Sequence, residues 1–469
     1  MQELSSEQMV EHLRSSDPGP FEVPLDGGSF IWTTGDGMRA LDQLAKRWRS
    51  TSHKAKTHLD EKAAKDRVCR AFGAMLVELR TRALDKPSVD AASFAKDLSA
   101  RLDERLQGDF TKVQFYFPCH LLNDGHFALI EVGPVQFHSL SSWLDQVEEF
   151  ALPGQLPWVG PLREFLTTPF ASIKEQSAAL ESLPEEAARR FEALSGCNRV
   201  GIVALTAADP ARAADRASTA VRLAVDVMGL LMNRRAAAGL RGPGDKLRAT
   251  SSHVFSQVQG GDMMESWSLD VPDSGGTREM SKQYVLHTSN LRAWAGKAIS
   301  VVIEPDHSPG AKEPSIAQRL CDAIFWFGEA RRDQTAFMAL VRYGMALDVL
   351  AKGYRKRGII ELVERLTGSK PTEDVMRNTS LETLIGQIYD EGRSQFGHGG
   401  RAALIQDLPA SIEAADAFTA QVIRLYVASF AHYTGEQKYD DFLKAIPDCL
   451  KLAAASAAEL DADVDNGKA

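Results

Sequence analysis

Five successive amphipathic segments in the last third of the chain constrain its fold most strongly. From Ser315 onward, apolar side chains recur every three or four residues, which is the period of a helix with one buried face. Short connections join these segments, and short connections make consecutive helices antiparallel. The sequence therefore predicts an antiparallel helical bundle over residues 311–450. Its helices are predicted at 315–332, 335–352, 356–366, 380–396 and 410–433.

The first 310 residues carry both helical and strand patterns and predict an α+β region. A sensory or regulatory role is one candidate for this region, whose function the sequence leaves unknown. Asn123, Asp124 and Gly125 are turn residues that predict a hairpin between the strands on either side of them. The predicted helices are 56–86, 139–150, 175–194 and 210–235, and the predicted strands are 113–122, 127–137, 199–205 and 299–304.

Two changes in composition set the predicted domain limits. His307–Glu313 combines proline, glycine and charge, and it separates the region 1–310 from the bundle. The chain after Leu450 is rich in alanine and aspartate, which predicts a flexible tail over 451–469.

Charge and hydropathy indicate where the protein works. The 469 residues include 54 Lys and Arg against 63 Asp and Glu, a net charge of −9. This charge argues against a surface coated with nucleic-acid-binding residues, although it leaves room for a local basic site. The sequence has no apolar run of about 18 residues, and its first residues do not resemble a signal peptide. We therefore expect a cytoplasmic protein with no membrane partner.

The cysteine and histidine content does not predict a metal centre. Five cysteines without a Cys-x-x-Cys pair fit a reducing compartment. Cys119 and His120, together with His126 and His138, come closest to a ligand set. Their irregular spacing along two predicted strands does not bring three or four ligands into a tetrahedron. We expect no metal and no other cofactor.

The fourth segment of the bundle carries the residues with the clearest chemical use. Its apolar stripe consists of Leu381, Leu384, Ile385, Ile388 and Tyr389. Arg393 follows at the edge of this stripe, next to Tyr389. Glycines at 397, 399 and 400 end the helix, because glycine readily adopts the left-handed conformation that terminates one. This break allows the His398 imidazole to fold back towards the Arg393 guanidinium.

An arginine and a histidine at one helix end suit the cleavage of RNA. Histidine exchanges protons near neutral pH, and arginine binds phosphate oxygens through its forked guanidinium. Together they serve attack of the ribose 2′-OH on the adjacent phosphorus, in which one group moves protons and the other stabilises charge. The alternative is structural, since a histidine after a glycine can simply interact with the last carbonyls of a helix.

The segment resembles the signature of the Apea-like HEPN family. In that family a Tyr-x-x-x-Arg-Ser step is followed by His-Gly, and here these residues are Tyr389, Arg393, Ser394, His398 and Gly399. The similarity extends back to the helix 337–350, which is similar to a family helix that ends in Ala-Leu-Glu. The last residue of that triplet is an aspartate here. The resemblance covers the chain from about 314 to 433.

The resemblance implies a HEPN-like helical bundle that forms a homodimer, with the two motifs sharing one ribonuclease cleft. Arg393 would stabilise the scissile phosphate, His398 would be the general acid and base, and Ser394 could orient either group or the RNA. Asp348 stands where the family has glutamate, and its helix places it on the apolar face. Since a buried acid needs a partner, it would orient His398 or Arg393, or form an internal salt bridge.

Basic residues in the bundle offer further contacts for RNA. Between Ala311 and Gly435, 15 basic residues balance 15 acidic ones, so the net charge of −9 lies elsewhere in the chain. Two local basic clusters can follow phosphates, or they can be solvated helix ends. They consist of Arg331 and Arg332, and of Arg355, Lys356 and Arg357.

These observations predict a metal-independent endoribonuclease with RNA as its partner. The family resemblance, rather than composition, implies a prokaryotic phage-defence or toxin-like effector. The alternative is a catalytically inactive HEPN scaffold that serves as an RNA-binding or protein-interaction module.

Overall fold

The computed structural model defines the fold of most of the chain. It describes residues 21–24, 30–33, 35–82, 91–108, 110–122, 127–150, 156–169, 171–245, 250–257, 263–270, 278–303, 315–333, 335–376, 378–390, 411–436 and 438–465. The described part is mostly helical, with a small antiparallel sheet in its first half and a helical C-terminal region. None of the helices in these ranges is both long enough and apolar enough to cross a membrane.

The chain divides into two compact units. One consists of Met1–Gln114 with Ala204–Arg216, and the other of Phe115–Val203 with Ala217–Ala469. This division differs from the predicted one, because the end of a strand and the start of a helix from the middle of the chain belong to the first unit. The predicted boundary segment 307–313 lies outside the described residues, so a boundary at residue 310 stays a prediction.

The described residues of the first unit include a two-stranded hairpin and four helices. Trp48 lies in its core, and its indole Nε1 donates to Asp103 Oδ1 at 3.0 Å. The rest of this core includes Leu41, Leu59, Val68, Leu98, Leu102 and Leu106. The elements are β1 (Phe21–Pro24), β2 (Phe30–Thr33), α1 (Gly35–Thr51), α2 (His53–His58), α3 (Glu61–Arg82) and α4 (Ala91–Gly108).

A four-stranded sheet with the order β3-β6-β5-β4 begins the second part of the chain. Trp143, Leu144, Trp158, Leu162 and Val200 form a core of this region. The elements are β3 (Thr111–Cys119), β4 (Leu129–Val132), β5 (Val135–Ser139), α5 (Leu140–Phe150), α6 (Val159–Thr167), α7 (Ile173–Glu181), α8 (Glu185–Leu194), β6 (Arg199–Ala207), α9 (Pro210–Gly229) and α10 (Arg234–Ala237).

The predicted hairpin across residues 123–125 is wrong. β3 pairs with β6, as shown by Asn198 N donating to Cys119 O at 3.1 Å, and the hairpin of this region joins β4 to β5. Its tight turn contains Gly133, whose φ of +58° favours glycine. Asn123, Asp124 and Gly125 themselves lie outside the described residues, and the tight turn is made by Gly133 and Pro134 instead.

The remaining elements before the bundle correct two more predictions. The predicted helix 175–194 is two helices, α7 and α8, because Pro184 ends the first and precedes the second. The predicted strand 299–304 is wrong, since its apolar run forms the end of a helix. A short apolar run does not distinguish a buried strand from a buried helical face. The elements are β7 (Thr250–Gln257), β8 (Met263–Asp270), α11 (Arg278–His287) and α12 (Ser289–Ile303).

The helical C-terminal region follows the predicted order. Gly368, with a φ of +74°, ends the third helix, and Ser380 caps the fourth through Thr383 N at 3.3 Å, as the sequence predicts. The elements are α13 (Ser315–Arg332), α14 (Ala336–Leu350), α15 (Arg355–Thr367), β9 (Asp374–Met376), β10 (Thr379–Ser380), α16 (Leu381–Ile385), α17 (Ile412–His432) and α18 (Tyr439–Asp465). The segment predicted as a tail from 451 is helical as far as Asp465.

Candidate functional site

The fourth helix of the C-terminal region leads towards the predicted catalytic segment. After α16, one π-helical turn covers residues 386–390. Such turns add a residue to a helix and are frequent at functional sites. Ile388 and Tyr389 in this turn are buried, with exposed fractions of 0% and 7%, as the predicted stripe requires. Arg393, Ser394 and His398 lie outside the described residues, so their mutual geometry stays a prediction.

Asp348 is buried on α14, as its place in the helical pattern predicts, and 8% of it is exposed. Its Oδ1 accepts a hydrogen bond from the backbone N–H of Arg355 at 3.1 Å. Its backbone carbonyl accepts a second from Gly353 N at 2.8 Å. The residue therefore holds the turn between α14 and α15. Its predicted role in orienting Arg393 or His398 stays a prediction, because both lie outside the described residues.

The basic cluster at 355–357 lies at the start of α15 and faces solvent. Arg355 and Arg357 are exposed, whereas Lys356 is half-buried. The Lys356 Nζ lies 3.7 Å from Glu382 Oε1 and 3.5 Å from Asp390 Oδ2, so this lysine connects α15 with the π-helical turn. Lys356 and Arg357 also line a groove of about 870 Å³ along α15, together with Ile360, Glu361, Glu364, Arg365 and Glu382.

Arg331 belongs to the interior, which corrects its prediction as a phosphate-binding residue. It is only 6% exposed, and its guanidinium binds the Asp416 carboxylate at 2.7 and 2.8 Å. The same guanidinium donates to the backbone carbonyls of Gly229 and Met232 and stacks over the Phe327 ring. Buried and held by four hydrogen bonds, the Arg331 guanidinium is not displayed to a polyanion.

The prediction that Arg332 binds phosphate is corrected for the same reason. Its guanidinium binds both oxygens of Asp226 at 2.6 and 3.1 Å and donates to Glu329 at 3.1 Å. Burial raises the pKa of Asp226, and the charge of Arg332 only partly offsets that rise. Burial also acts to raise the pKa of Glu329, but Arg332, Arg222 and Arg342 outweigh it and lower that pKa. These residues form an internal ion network between α9, α13 and α14.

The sequence analysis missed this network because its partners are far apart in the chain. Arg331 and Asp416 are 85 positions apart, and Arg332 and Asp226 are 106 apart. The signal available in the sequence is an acid at a position that the helical period buries. Both Asp226 and Asp416 occupy such positions, on α9 and α17.

Of the cysteine and histidine residues described near the sheet, Cys119 and His138 are buried, whereas His120 is half-buried. Cys119 is buried, and burial raises the pKa of its thiol. The His138 Nδ1 lies 3.0 Å from Ser142 Oγ, and burial lowers the pKa of the imidazole. His126 lies outside the described residues. In the described ranges, three or more His, Cys, Asp or Glu side chains do not come together in a way that could hold a metal ion.

Comparison with known proteins gives no relative on which to base a function. No protein-family model, no curated protein and no solved structure matches the chain.

Proposed function

We propose that the chain is a metal-independent endoribonuclease of the HEPN type, in which Arg393 and His398 cleave RNA. The observation that carries the proposal is the position of the motif. In the helical C-terminal region, a π-helical turn in which Ile388 and Tyr389 are buried ends at Asp390, three positions before Arg393 in the Arg-Ser-x-x-x-His-Gly sequence. The HEPN resemblance of this sequence supplies the chemistry.

The reaction needs one proton-transfer group and one cation. His398 removes the proton from the ribose 2′-OH, and the 2′-oxygen forms a bond to the adjacent phosphorus. The bond between that phosphorus and the 5′-oxygen of the next nucleotide breaks, and the departing oxygen takes up a proton. Arg393 stabilises the charge on the phosphoryl oxygens in the transition state. The products are a 2′,3′-cyclic phosphate and a 5′-hydroxyl.

The wider setting is part of the same proposal. Two copies of the bundle would bring two Arg393–His398 motifs into one cleft, as the resemblance implies. The region before the bundle would then restrain or trigger the nuclease, in the manner of a phage-defence or toxin-like effector. An inactive scaffold that binds RNA or protein is the alternative that the experiment must separate from this function.

The test is a cleavage assay on tRNA and single-stranded RNA in the presence of EDTA. We expect cleavage by the unaltered chain and a fall in rate of about 100-fold or more in Arg393→Ala and in His398→Ala. Arg401→Ala and His287→Ala are matched controls that should retain the rate. Equal rates in all five proteins would contradict the assignment of the site. RNA binding without any cleavage would support the scaffold instead.

A further inference from the structure

An exposed tyrosine in a basic turn has no role in the catalytic proposal. Tyr354 connects α14 to α15, and 52% of it is exposed, which is unusual for a large aromatic residue. The sequence from 352 to 357 reads Lys-Gly-Tyr-Arg-Lys-Arg, with four cations and no acid. Aromatic side chains among cations are the usual elements of surfaces that bind single-stranded nucleic acid.

The backbone holds this tyrosine in a defined position. Lys352, Gly353 and Arg355 all have a left-handed conformation, with φ values of 61°, 73° and 60°. This conformation is unfavourable for a residue other than glycine, and it persists only where surrounding contacts impose it. Asp348 supplies such contacts, because its backbone carbonyl accepts from Gly353 N at 2.8 Å and its Oδ1 accepts from Arg355 N at 3.1 Å.

Packing contacts hold the Tyr354 ring in place, while about half of the residue stays exposed at 52%. A Cβ atom at Gly358 would overlap the Tyr354 Cβ, so only glycine gives the tyrosine its place over α15. Tyr439 meets the Tyr354 ring edge-on at 6.3 Å between centroids. The Lys352 Nζ lies 5.7 Å from the Tyr354 centroid, which adds a cation next to the ring. A rigid aromatic ring of this kind loses little entropy when a base stacks on it.

The charge around Tyr354 favours a polyanion. Lys352 has Asp440 at 3.9 Å, and Lys356 has Glu382 and Asp390, so these two lysines are partly neutralised. Among the residues that the structure describes, neither the Arg355 nor the Arg357 guanidinium has an ion pair. These two exposed arginines are therefore the cations available to phosphate groups.

The surface around Tyr354 continues along α15. A groove of about 480 Å³ is lined by Gly353, Tyr354, Arg355, Arg357, Gly358 and Glu361. Arg357 and Glu361 also line the groove of about 870 Å³ that reaches Glu382. The Lys356 on that second groove contacts Asp390, three positions before Arg393. Because the two grooves share Arg357 and Glu361, they run together along α15 from Tyr354 to Glu382.

We propose that Tyr354 is a stacking platform for an unpaired base, and that Arg355 and Arg357 bind the phosphates beside it. The inference rests on the proposed ribonuclease function, and it assigns single-stranded RNA as the substrate class. A duplex keeps its bases stacked inside the helix and has none to place on the tyrosine.

Binding should be measured in an Arg393→Ala chain, in which cleavage does not interfere. The probes are a fluorescently labelled 12-nucleotide single-stranded RNA and the duplex of the same sequence. Because base–aromatic stacking is worth about 1–3 kcal/mol, Tyr354→Ala should weaken binding of the single strand by about 5- to 150-fold. Tyr354→Phe keeps the ring and should stay within about twofold. The duplex should bind more weakly and respond little to either change.

Phe150 provides a matched control. It is also an exposed aromatic, at 48%, but it follows Glu148 and Glu149, so Phe150→Ala should leave RNA affinity unchanged. Equal affinities of the Tyr354→Ala and unaltered chains would overturn the inference, as would equal losses in Tyr354→Ala and Tyr354→Phe. The absence of any binding to single-stranded RNA would overturn it as well.

A second measurement needs no substitution at Tyr354 and covers the case in which Tyr354→Ala fails to fold. The same RNA carrying 5-bromouridine should cross-link to the peptide that contains residues 354–357, and a cross-link confined to other peptides contradicts the platform. The two proposals fail separately. RNA held at Tyr354 by a chain that never cleaves it refutes the nuclease alone, and cleavage that does not depend on Tyr354 refutes the platform alone.

Discussion

Two basic clusters of the C-terminal region look alike in sequence and differ completely in structure. Arg331 and Arg332 end α13 in the interior, where Asp416 and Asp226 bind them. Arg355 and Arg357 begin α15 on the surface, beside the exposed Tyr354. The difference lies in distant acids rather than in the basic residues themselves. A short basic run therefore indicates a nucleic-acid surface only where the fold provides no internal carboxylate for it.

The sharpest way to break this comparison is to remove Arg331. Arg331→Ala leaves the Asp416 carboxylate buried with only the Tyr343 hydroxyl, at 2.7 Å, as a described side-chain partner. Loss of one member of a buried ion pair should lower the free energy of unfolding by about 3–5 kcal/mol. Arg355→Ala should change it by less than about 0.5 kcal/mol. Urea unfolding of the full chain measures both, and similar stabilities would contradict the interior assignment of Arg331.

A second substitution tests the other internal pair without removing a charge. A Cβ atom at Gly328 would overlap the Asp226 carboxylate, which holds Arg332. Gly328→Ala should therefore lower the free energy of unfolding by about 1–3 kcal/mol, as overpacking of a core does. Gly160→Ala is the control, because no atom lies within 4 Å of the added methyl group. If the two variants are equally stable, Asp226 does not pack against α13 as described.

The pH dependence of stability tests the same ion network through Glu329. The pKa of Glu329 is lowered in the folded chain, so its contribution to stability is present above its unfolded-state pKa of about 4.3. The contribution is lost as pH falls through the folded-state pKa. The stability difference between the unaltered chain and Glu329→Gln should therefore be constant well above about pH 4.3 and shrink as the pH falls below it. Urea midpoints at several pH values check this, and a difference that stays constant as the pH falls would be inconsistent with it.

The exposed cluster should show the smallest effect on stability but a clear effect on RNA binding. Each phosphate contact to a single strand contributes about 0.7 to the slope of log affinity against log salt concentration. Arg355→Gln and Arg357→Gln should each reduce that slope by about 0.7 in the Arg393→Ala chain. Arg189 is exposed on α8 and forms only a long ion pair, 3.9 Å from Glu186. Arg189→Gln should leave the slope unchanged, and equal slopes in all variants would remove the surface cluster from RNA binding.

Local pattern predicted much of the fold. The helical period correctly predicted α13, α14 and α15. Gly368 ends α15 and Ser380 begins α16, and both of these helix ends depend only on neighbouring residues. The predicted strand 299–304 and the predicted hairpin at 123–125 were wrong. The pairing of strands and the burial of an apolar run depend on residues that are far away in the sequence. Gly133, for instance, approaches Gly296 so closely that neither tolerates a Cβ atom, and no local pattern reveals this contact.

For the candidate site, the comparison is confined to the described residues, because Arg393, Ser394 and His398 lie outside them. Burial of Asp348 and Tyr389 follows from helical spacing alone and is confirmed. The backbone partners of Asp348 depend on a left-handed turn at Lys352 and Arg355, two residue types that rarely adopt that conformation. The exposure of Tyr354 was not predicted for the same reason, since it results from that turn.

The central claim is that Arg393 and His398 cleave RNA through attack of the 2′-OH, and the end groups of the products test it most directly. Single-stranded RNA incubated with the full chain and EDTA should yield 2′,3′-cyclic phosphate and 5′-hydroxyl ends by mass spectrometry. Both ends should disappear with Arg393→Ala or His398→Ala. Intact RNA, products with 5′-phosphate ends, or undiminished cleavage by either variant would contradict the claim.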